Sequence, residues 1–243
     1  MSPLALLFGA GVLLAAGFVR GYSGFGFSAV TVTGFSIVAS PALAVPLAIL
    51  LEVLSSLFQA RSIWRHIAWR DAMAMLAGSL AGNPPGVMAL QIVPETALKT
   101  SVYIYVLAVC VILLFARSTP REIGNFGWFA VGLFAGAING ATALSGLFIV
   151  TVMTLTATAP ARMRATLIAY FFFSDFYAAG LLAANGFIGM DFLLKLGLAF
   201  PVVAVGIALG SRRFLGASDL EFRRATLLLL AALAIAGLAS LLV

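Results

Sequence analysis

The residues with the clearest chemistry form a glycine-rich run near the N-terminus. The run Arg20-Gly21-Tyr22-Ser23-Gly24-Phe25-Gly26 breaks an apolar segment with three glycines in six residues. A helix broken in this way exposes backbone N–H groups, and the positive N-terminus of a helix attracts anions. We expect an anion-binding site here, with the candidate residues Arg20, Tyr22, Ser23, Gly24 and Gly26. For Arg20 two alternatives stay open, namely pairing with a buried acid and a role as an ordinary anchor charge at the cytoplasmic face.

A second stretch offers the same mixture of glycine, small residues and hydroxyls. It reads Asn139-Gly140-Ala141-Thr142-Ala143-Leu144-Ser145-Gly146. Its candidate binding residues are Asn139, Thr142, Ser145 and Gly146. The alternative for both stretches is close packing of helices through small residues, which is common in membranes.

Two acids, Glu52 and Asp175, lie near the middle of apolar segments. A charged and unpaired carboxyl group costs several kcal/mol at the bilayer centre. Each acid must therefore be protonated, paired or in contact with water, and a carboxyl group that takes up and releases a proton can couple transport to protons. The alternative is a permanently neutral acid that is hydrogen-bonded to neighbours such as Ser55, Ser56 or Gln59.

Prolines interrupt two further apolar segments, at Asn83-Pro84-Pro85-Gly86 and at Pro201. Proline removes a backbone donor and kinks or breaks a helix. The sequence predicts helix breaks at these points, with Asn83 facing a cavity, and a purely structural kink is the alternative.

Enzyme chemistry finds no support in the sequence. Gly21-Tyr22-Ser23-Gly24 fits a pattern of intramembrane serine proteases, but a serine nucleophile needs a nearby base. The single histidine, His66, lies in a charged connection. The chain shows neither metal-ligand spacing nor a dinucleotide fingerprint. We therefore expect no enzymatic activity, no metal site and no cofactor.

Composition decides which elements must position these residues. The chain has 243 residues, of which 63% are hydrophobic and 9% are charged, whereas soluble domains carry about 25% charged residues. This excludes a soluble enzyme, a nucleic-acid-binding domain and a disordered chain. Since about 20 apolar residues span a bilayer, the sequence predicts an all-α polytopic membrane protein with about 8–10 membrane segments.

Apolar runs divide the chain into ten segments, some of which are short enough to be broken or re-entrant helices. We read the first as a membrane segment rather than a removable signal. The predicted segments are Pro3–Val19, Phe27–Ser40, Leu43–Ala60, Ala72–Gln91, Thr96–Ala116, Gly124–Ile138, Leu144–Thr158, Met163–Ala184, Phe192–Gly210 and Arg224–Val243.

The basic residues predict the orientation. With the N-terminus outside, twelve arginines fall in cytoplasmic connections and only Lys99 and Lys195 fall near outer ends, which is a strong positive-inside asymmetry. Both termini are therefore predicted outside the cytoplasm. The twelve are Arg20, Arg61, Arg65, Arg70, Arg117, Arg121, Arg162, Arg164, Arg212, Arg213, Arg223 and Arg224.

An internal repeat is the second prediction about layout. A shift of 119 residues places Gly17, Gly21, Pro41 and Ser55 on Gly136, Gly140, Pro160 and Ser174. Five segments per half is an odd number, so the halves should be inverted relative to each other, as in many secondary transporters. We expect a first repeat over residues 1–117, a cytoplasmic linker over 118–123 and a second repeat over 124–243.

The run from Gly17 to Phe27, with Gly136, Asn139, Gly140 and Gly146 at the repeated position, resembles the sulfite exporter TauE/SafE family of membrane transporters, also called the toluene sulfonate uptake permease family. The resemblance implies secondary transport of small sulfur-containing or carboxylate anions, of the sulfite, sulfonate or sulfoacetate type, across the bacterial cytoplasmic (inner) membrane. It also implies two homologous halves with the glycine motifs at the centre. The second half departs from the family pattern, since Ala141-Thr142-Ala143-Leu144 replaces a glycine-rich run.

The sequence therefore favours a secondary transporter whose partners are a small anionic substrate, a coupling proton and the lipid bilayer, with no nucleic acid. Two alternatives remain: an anion channel with passive flux, and a non-transporting membrane scaffold. A channel needs neither titratable acids at mid-depth nor an alternating gate. Homo-oligomer formation is left open.

Overall fold

The computed structural model describes residues 3–59, 66–115, 119–213 and 219–241. Within these ranges the protein is all-helical, with ten helices and no strand, which confirms the predicted fold class. The helices are α1 (Pro3–Ser23), α2 (Phe27–Val38), α3 (Pro41–Gln59), α4 (Trp69–Ile92), α5 (Glu95–Phe115), α6 (Asn125–Thr142), α7 (Ser145–Leu155), α8 (Pro160–Ala184), α9 (Met190–Arg213) and α10 (Asp219–Ser240).

Each predicted segment coincides with one helix. The largest differences lie at the C-terminal ends of α1 and α6 and at the N-terminal end of α10, which begins at Asp219 rather than at Arg224. Helix α1 continues through Arg20 and Gly21 to Ser23, and α6 continues to Thr142, about one turn beyond the prediction in both cases. A glycine inside a helix is tolerated at modest cost, whereas a residue with positive φ ends it. The helices therefore stop at Gly24 and Ala143, which have φ of 80° and 56°.

Helices α2 and α7 are too short to cross a membrane. They have 12 and 11 residues, which corresponds to about 18 Å and 17 Å at 1.5 Å per residue, against a hydrocarbon core of about 30 Å. Five other helices in the described ranges, α1, α3, α5, α8 and α9, are long and apolar enough to cross.

The two halves pack on each other in a crossed manner. Helix α1 packs extensively on α9, α4 packs on α6, and α3 lies against α8 at the centre. Glycines permit the closest approaches, because a Cβ atom at Gly21 would lie 2.3 Å from the Ile207 carbonyl oxygen, and one at Gly140 would lie 2.4 Å from the Asn83 carbonyl oxygen. Small residues of this kind allow helix backbones to contact each other in lipid.

Several sequence predictions lie outside the described residues. Arg61, Arg65 and Arg117, which contribute to the predicted orientation, are among them, and the division into domains stays a prediction. Arg20 needs a correction, because it lies inside α1 with 0% of its surface exposed rather than in a cytoplasmic connection.

Candidate functional site

The glycine run forms the turn between α1 and α2. The Gly24 N–H donates to the Arg20 carbonyl at 2.8 Å, which closes the last turn of α1. Gly24 and Gly26 have φ of 80° and 82°, the left-handed conformation that suits glycine. Gly26 is also the residue before the first turn of α2. The chain thus reverses at the end of α1 and presents the N-terminus of a short helix to the protein interior.

The second stretch forms the equivalent turn between α6 and α7. The Ala143 N–H donates to the Asn139 carbonyl at 2.7 Å, and Ala143 takes the left-handed conformation of Gly24. The hydroxyls before the turns are also equivalent, since Ser23 Oγ donates to the Val19 carbonyl at 2.8 Å and Thr142 Oγ1 donates to the Ile138 carbonyl at 2.7 Å. Every residue in this comparison is 119 positions from its counterpart.

Arg20 is the centre of a buried charged cluster. Its Nη1 forms an ion pair with Glu52 Oε1, and its Nη2 donates to Ser56 Oγ at 2.6 Å. Ser28 Oγ donates to the other Glu52 oxygen, and the Arg20 guanidinium lies 5.1 Å from the centre of the Phe171 ring. Because the charge is fully buried and paired with an acid, the interpretation of Arg20 as a cytoplasmic anchor is wrong.

Asp175 belongs to a buried network of amides and hydroxyls. Asn139 Nδ2 donates to Asp175 Oδ1 at 2.8 Å, and Ser145 Oγ donates to Asn139 Oδ1 at 2.9 Å. Asn83 joins through its Oδ1, which lies 3.4 Å from Asn139 Nδ2, and its own Nδ2 lies 3.4 Å from Ser174 Oγ. The network thus connects α4, α6, α7 and α8 at the position of the second turn.

The charged cluster and the amide network adjoin each other. Asp175 lies close enough to interact electrostatically with both Arg20 and Glu52. Beside them is a small cavity, called the inner cavity here, whose lining includes Gly26, Ser28, Glu52, Gly146 and Phe171. It lies at the N-termini of α2 and α7, where the first N–H groups of a helix lack intrahelical partners and the helix dipole is positive.

A second, larger cavity of about 180 Å³, called the outer cavity here, lies on the other side of the turn between α1 and α2. Its lining includes Tyr22, Ser23, Phe25 and Arg164. The sequence predicted one binding site for the whole glycine run, whereas the structure divides the run between two cavities. Gly26 faces the inner cavity, and Tyr22 and Ser23 face the outer one.

The structure brings most of the predicted site residues together, but not the prolines. The residues at the inner cavity or in the two buried clusters are Arg20, Gly26, Glu52, Asn83, Asn139, Ser145, Gly146 and Asp175. Pro84 and Pro201 lie on exposed faces of α4 and α9. Both helices run on through them, so the predicted helix breaks are wrong. Neighbouring groups can satisfy the carbonyls that a proline frees in a membrane helix.

Four residues at the cavities or in the charged cluster were not among the predicted site residues: Ser28, Ser56, Phe171 and Arg164. Ser56 follows Glu52 by one helical turn, and this i,i+4 spacing is a signal for a shared face. The other three carry no comparable local signal, since their roles depend on which helices meet. Among the described residues, no group of three or more His, Cys, Asp or Glu side chains could hold a metal ion.

Comparison with known proteins identifies the family of the chain. The family model described as sulfite exporter TauE/SafE matches residues 8–237. No curated protein and no solved structure matches the chain. The family match covers both helix turns, both buried clusters and all ten helices in whole or in part. The chain belongs to the sulfite exporter TauE/SafE family of membrane transporters.

Proposed function

We propose that the protein is a proton-coupled secondary transporter of small sulfur-containing or carboxylate organic anions, of the sulfite, sulfonate or sulfoacetate type. The observation that carries this proposal is the buried Arg20–Glu52 pair, which adjoins Asp175 at a cavity between two helix N-termini. Membership of the family implies that the protein is a membrane transporter and that its substrates are sulfite or related sulfur anions. The charges of the site argue for the coupling and for the roles of the residues.

Anion binding would use Arg20 and the N-termini of α2 and α7. Arg20 is held by Glu52 and Ser56 in this state, so an incoming anion has to replace one of these partners. Charge-assisted bonds from an arginine to an oxyanion are strong and often bidentate. The Ser28 hydroxyl, which now donates to Glu52, is placed to donate to an anion in the inner cavity.

Proton coupling follows from the number of charges in the site. The buried cluster contains one cation, Arg20, and two acids, Glu52 and Asp175, while a second cation within electrostatic reach, Arg164, is half-buried at the outer cavity. With its three groups ionised the buried cluster is negative and repels an anion. A proton on either acid removes that repulsion, so we expect the anion and a proton to bind together. Binding of the two in one step makes the pH gradient a driving force for transport.

Alternating access would use the two related halves. The crossed pairing of α1 with α9 and of α6 with α4 is the pattern that a two-fold relation between residues 1–117 and 124–243 predicts. The matching hydrogen bonds at the two turns support the same relation. We place the transporter in the cytoplasmic membrane with both termini outside, on the asymmetry of the basic residues.

Uptake into proteoliposomes tests the proposal against a channel. We expect labelled sulfite or sulfoacetate to accumulate above its external concentration when a pH gradient is imposed, and not when the gradient is collapsed by an ionophore. Empty liposomes are the control. Flux that only equilibrates the anion, whatever the gradient, would indicate a channel, and the absence of any flux would favour a scaffold.

A further inference from the structure

The outer cavity has a chemistry that the inner site does not explain. It lies where α1 ends and α8 begins, and most of its walls are apolar side chains from α5, α7, α8 and α10. These include Leu113, Leu147, Val150, Met163, Leu227 and Leu230. An inorganic oxyanion such as sulfite gains nothing from such walls, because burial of apolar surface stabilises only a ligand that has apolar surface of its own.

Arg164 supplies the charge of the outer cavity. Of the described residues in the lining, Arg164 is the charged one and none is acidic. Its Nη2 donates to the Gly21 carbonyl at 3.1 Å, and its stem packs on Gly24, where a Cβ atom would lie 2.3 Å from Arg164 Cγ. The turn between α1 and α2 therefore holds the half-buried Arg164 side chain at the edge of the cavity.

We propose that the outer cavity is a binding site for small organic anions with an apolar group, such as short alkanesulfonates, and that Arg164 holds the anionic end. The apolar walls accommodate the alkyl group. The outer cavity adjoins the inner one, because Leu147 lines both cavities and the turn at Ser23 to Gly26 lies between them. This inference rests on the proposed transport function and names the class of substrate that enters through this face.

A single cysteine in the outer cavity tests the proposal without relying on transport. The native Cys110 is buried and is replaced in a Cys110→Ala, Thr154→Cys variant, since Thr154 lines the cavity. The protein is placed in nanodiscs of zwitterionic lipid and treated with methanethiosulfonate reagents that carry a sulfonate or a trimethylammonium group. We expect the anionic reagent to react faster than the cationic one, after each rate is divided by that for a free thiol.

Protection by added ligands defines the site further. Methane-, ethane-, propane- and butanesulfonate should protect the cysteine with potency that rises about fourfold per methylene. Arg164→Gln should weaken protection at least about tenfold, because a hydrogen bond to a charged group is lost, and Arg164→Lys should retain part of it. The matched control is Arg162→Gln, because Arg162 lies on the same helix but is exposed and pairs with Asp71 at 3.1 Å.

The outcomes separate this inference from the proposed function. Equal reaction of both reagents, or no protection by any sulfonate, overturns the inference even if proteoliposomes accumulate sulfonates. Protection without accumulation overturns the transport function but leaves the binding site. Protection in nanodiscs of anionic lipid without added sulfonate would mean that a lipid occupies the cavity, and this also overturns the inference. If Arg164→Gln fails to fold, the inference is still tested by the ratio of the two reagents' reaction rates and by the protection measured in Arg164→Lys.

Discussion

The two halves of the molecule build the same hydrogen bond with different charges. In the first half Arg20 Nη2 on α1 donates to Ser56 Oγ on α3, and in the second half Asn139 Nδ2 on α6 donates to Asp175 Oδ1 on α8. Both donors and both acceptors are 119 residues apart. The first half thus places its charge on the donor, and the second half places its charge on the acceptor.

The difference shows how the same backbone geometry can carry different charges. The two turns have the same hydrogen bonds, but the charged side chain is the donor, Arg20, in the first half and the acceptor, Asp175, in the second. Glu52 has no acidic counterpart, because the position 119 residues later is Phe171. The first half therefore contains an internal ion pair, and the second half contributes an acid whose protein contacts are with a neutral amide. This difference supports the proposal that the first cluster binds the anion, and it favours Asp175 over Glu52 as the acid that takes up the proton.

The largest effect is expected from Arg20→Gln. This change leaves Glu52 buried without its cation, which should lower the free energy of unfolding by about 3–5 kcal/mol and abolish transport. Thermal unfolding in detergent and uptake in proteoliposomes measure the two effects. The double variant with Glu52→Gln should recover part of the stability but no transport, and full stability in the single variant would contradict the role of the ion pair.

Asp175→Asn should affect coupling rather than folding. The new amide oxygen can still accept the hydrogen bond from Asn139 Nδ2, but the side chain can no longer take up a proton. Accumulation driven by a pH gradient should be lost, while calorimetry still detects binding and exchange of substrate continues. Glu52→Gln is the matched comparison, with a larger loss of stability because Arg20 loses its partner. Undiminished accumulation in Asp175→Asn would remove this acid from the mechanism.

Asn139→Ala tests the amide network at the position that corresponds to Arg20. It removes the amide that hydrogen-bonds to Asp175 and Ser145, which should cost about 1–3 kcal/mol of unfolding free energy. The measurement is the thermal unfolding of Asn139→Ala, with Asn185→Ala as the control. Asn185 is exposed near the end of α8, so its replacement should stay within about 0.5 kcal/mol. A loss as large as that of Arg20→Gln would erase the distinction between the two halves.

Ala143→Gly is expected to have the smallest effect and the opposite sign. Alanine in the left-handed conformation costs about 1–2 kcal/mol, and glycine removes this strain from the folded state. Part of the gain is offset because glycine loses more conformational entropy than alanine on folding. We expect a gain of up to about 1 kcal/mol in thermal unfolding. The reverse change at the equivalent position, Gly24→Ala, should destabilise, because its Cβ atom meets Arg164. A loss in both variants would show that the two turns are not built alike.

Sequence patterns reveal the helices and the turns better than the contacts. Hydropathy locates each helix, and the glycines at 24 and 26 mark a turn because few other residues accept positive φ. The sequence left open that Arg20 pairs with a buried acid, but it could not identify Glu52 as the partner, since this depends on how closely α1 and α3 approach. The outer cavity was missed for the same reason. Arg164 looks like an end-of-helix charge until the packing of α8 on the first turn is known.

The crossed packing of the helices fixes an order for assembly during synthesis. Helix α1 enters the membrane long before its packing partner α9 exists, so the first half has to persist without its final neighbour. Its most hazardous group is Arg20, whose buried charge is costly in lipid. Glu52 follows only 32 residues later, and α3 can therefore neutralise Arg20 while the ribosome is still producing the first half. The ion pair at the proposed anion site would thus also stabilise the first half until the second half is made.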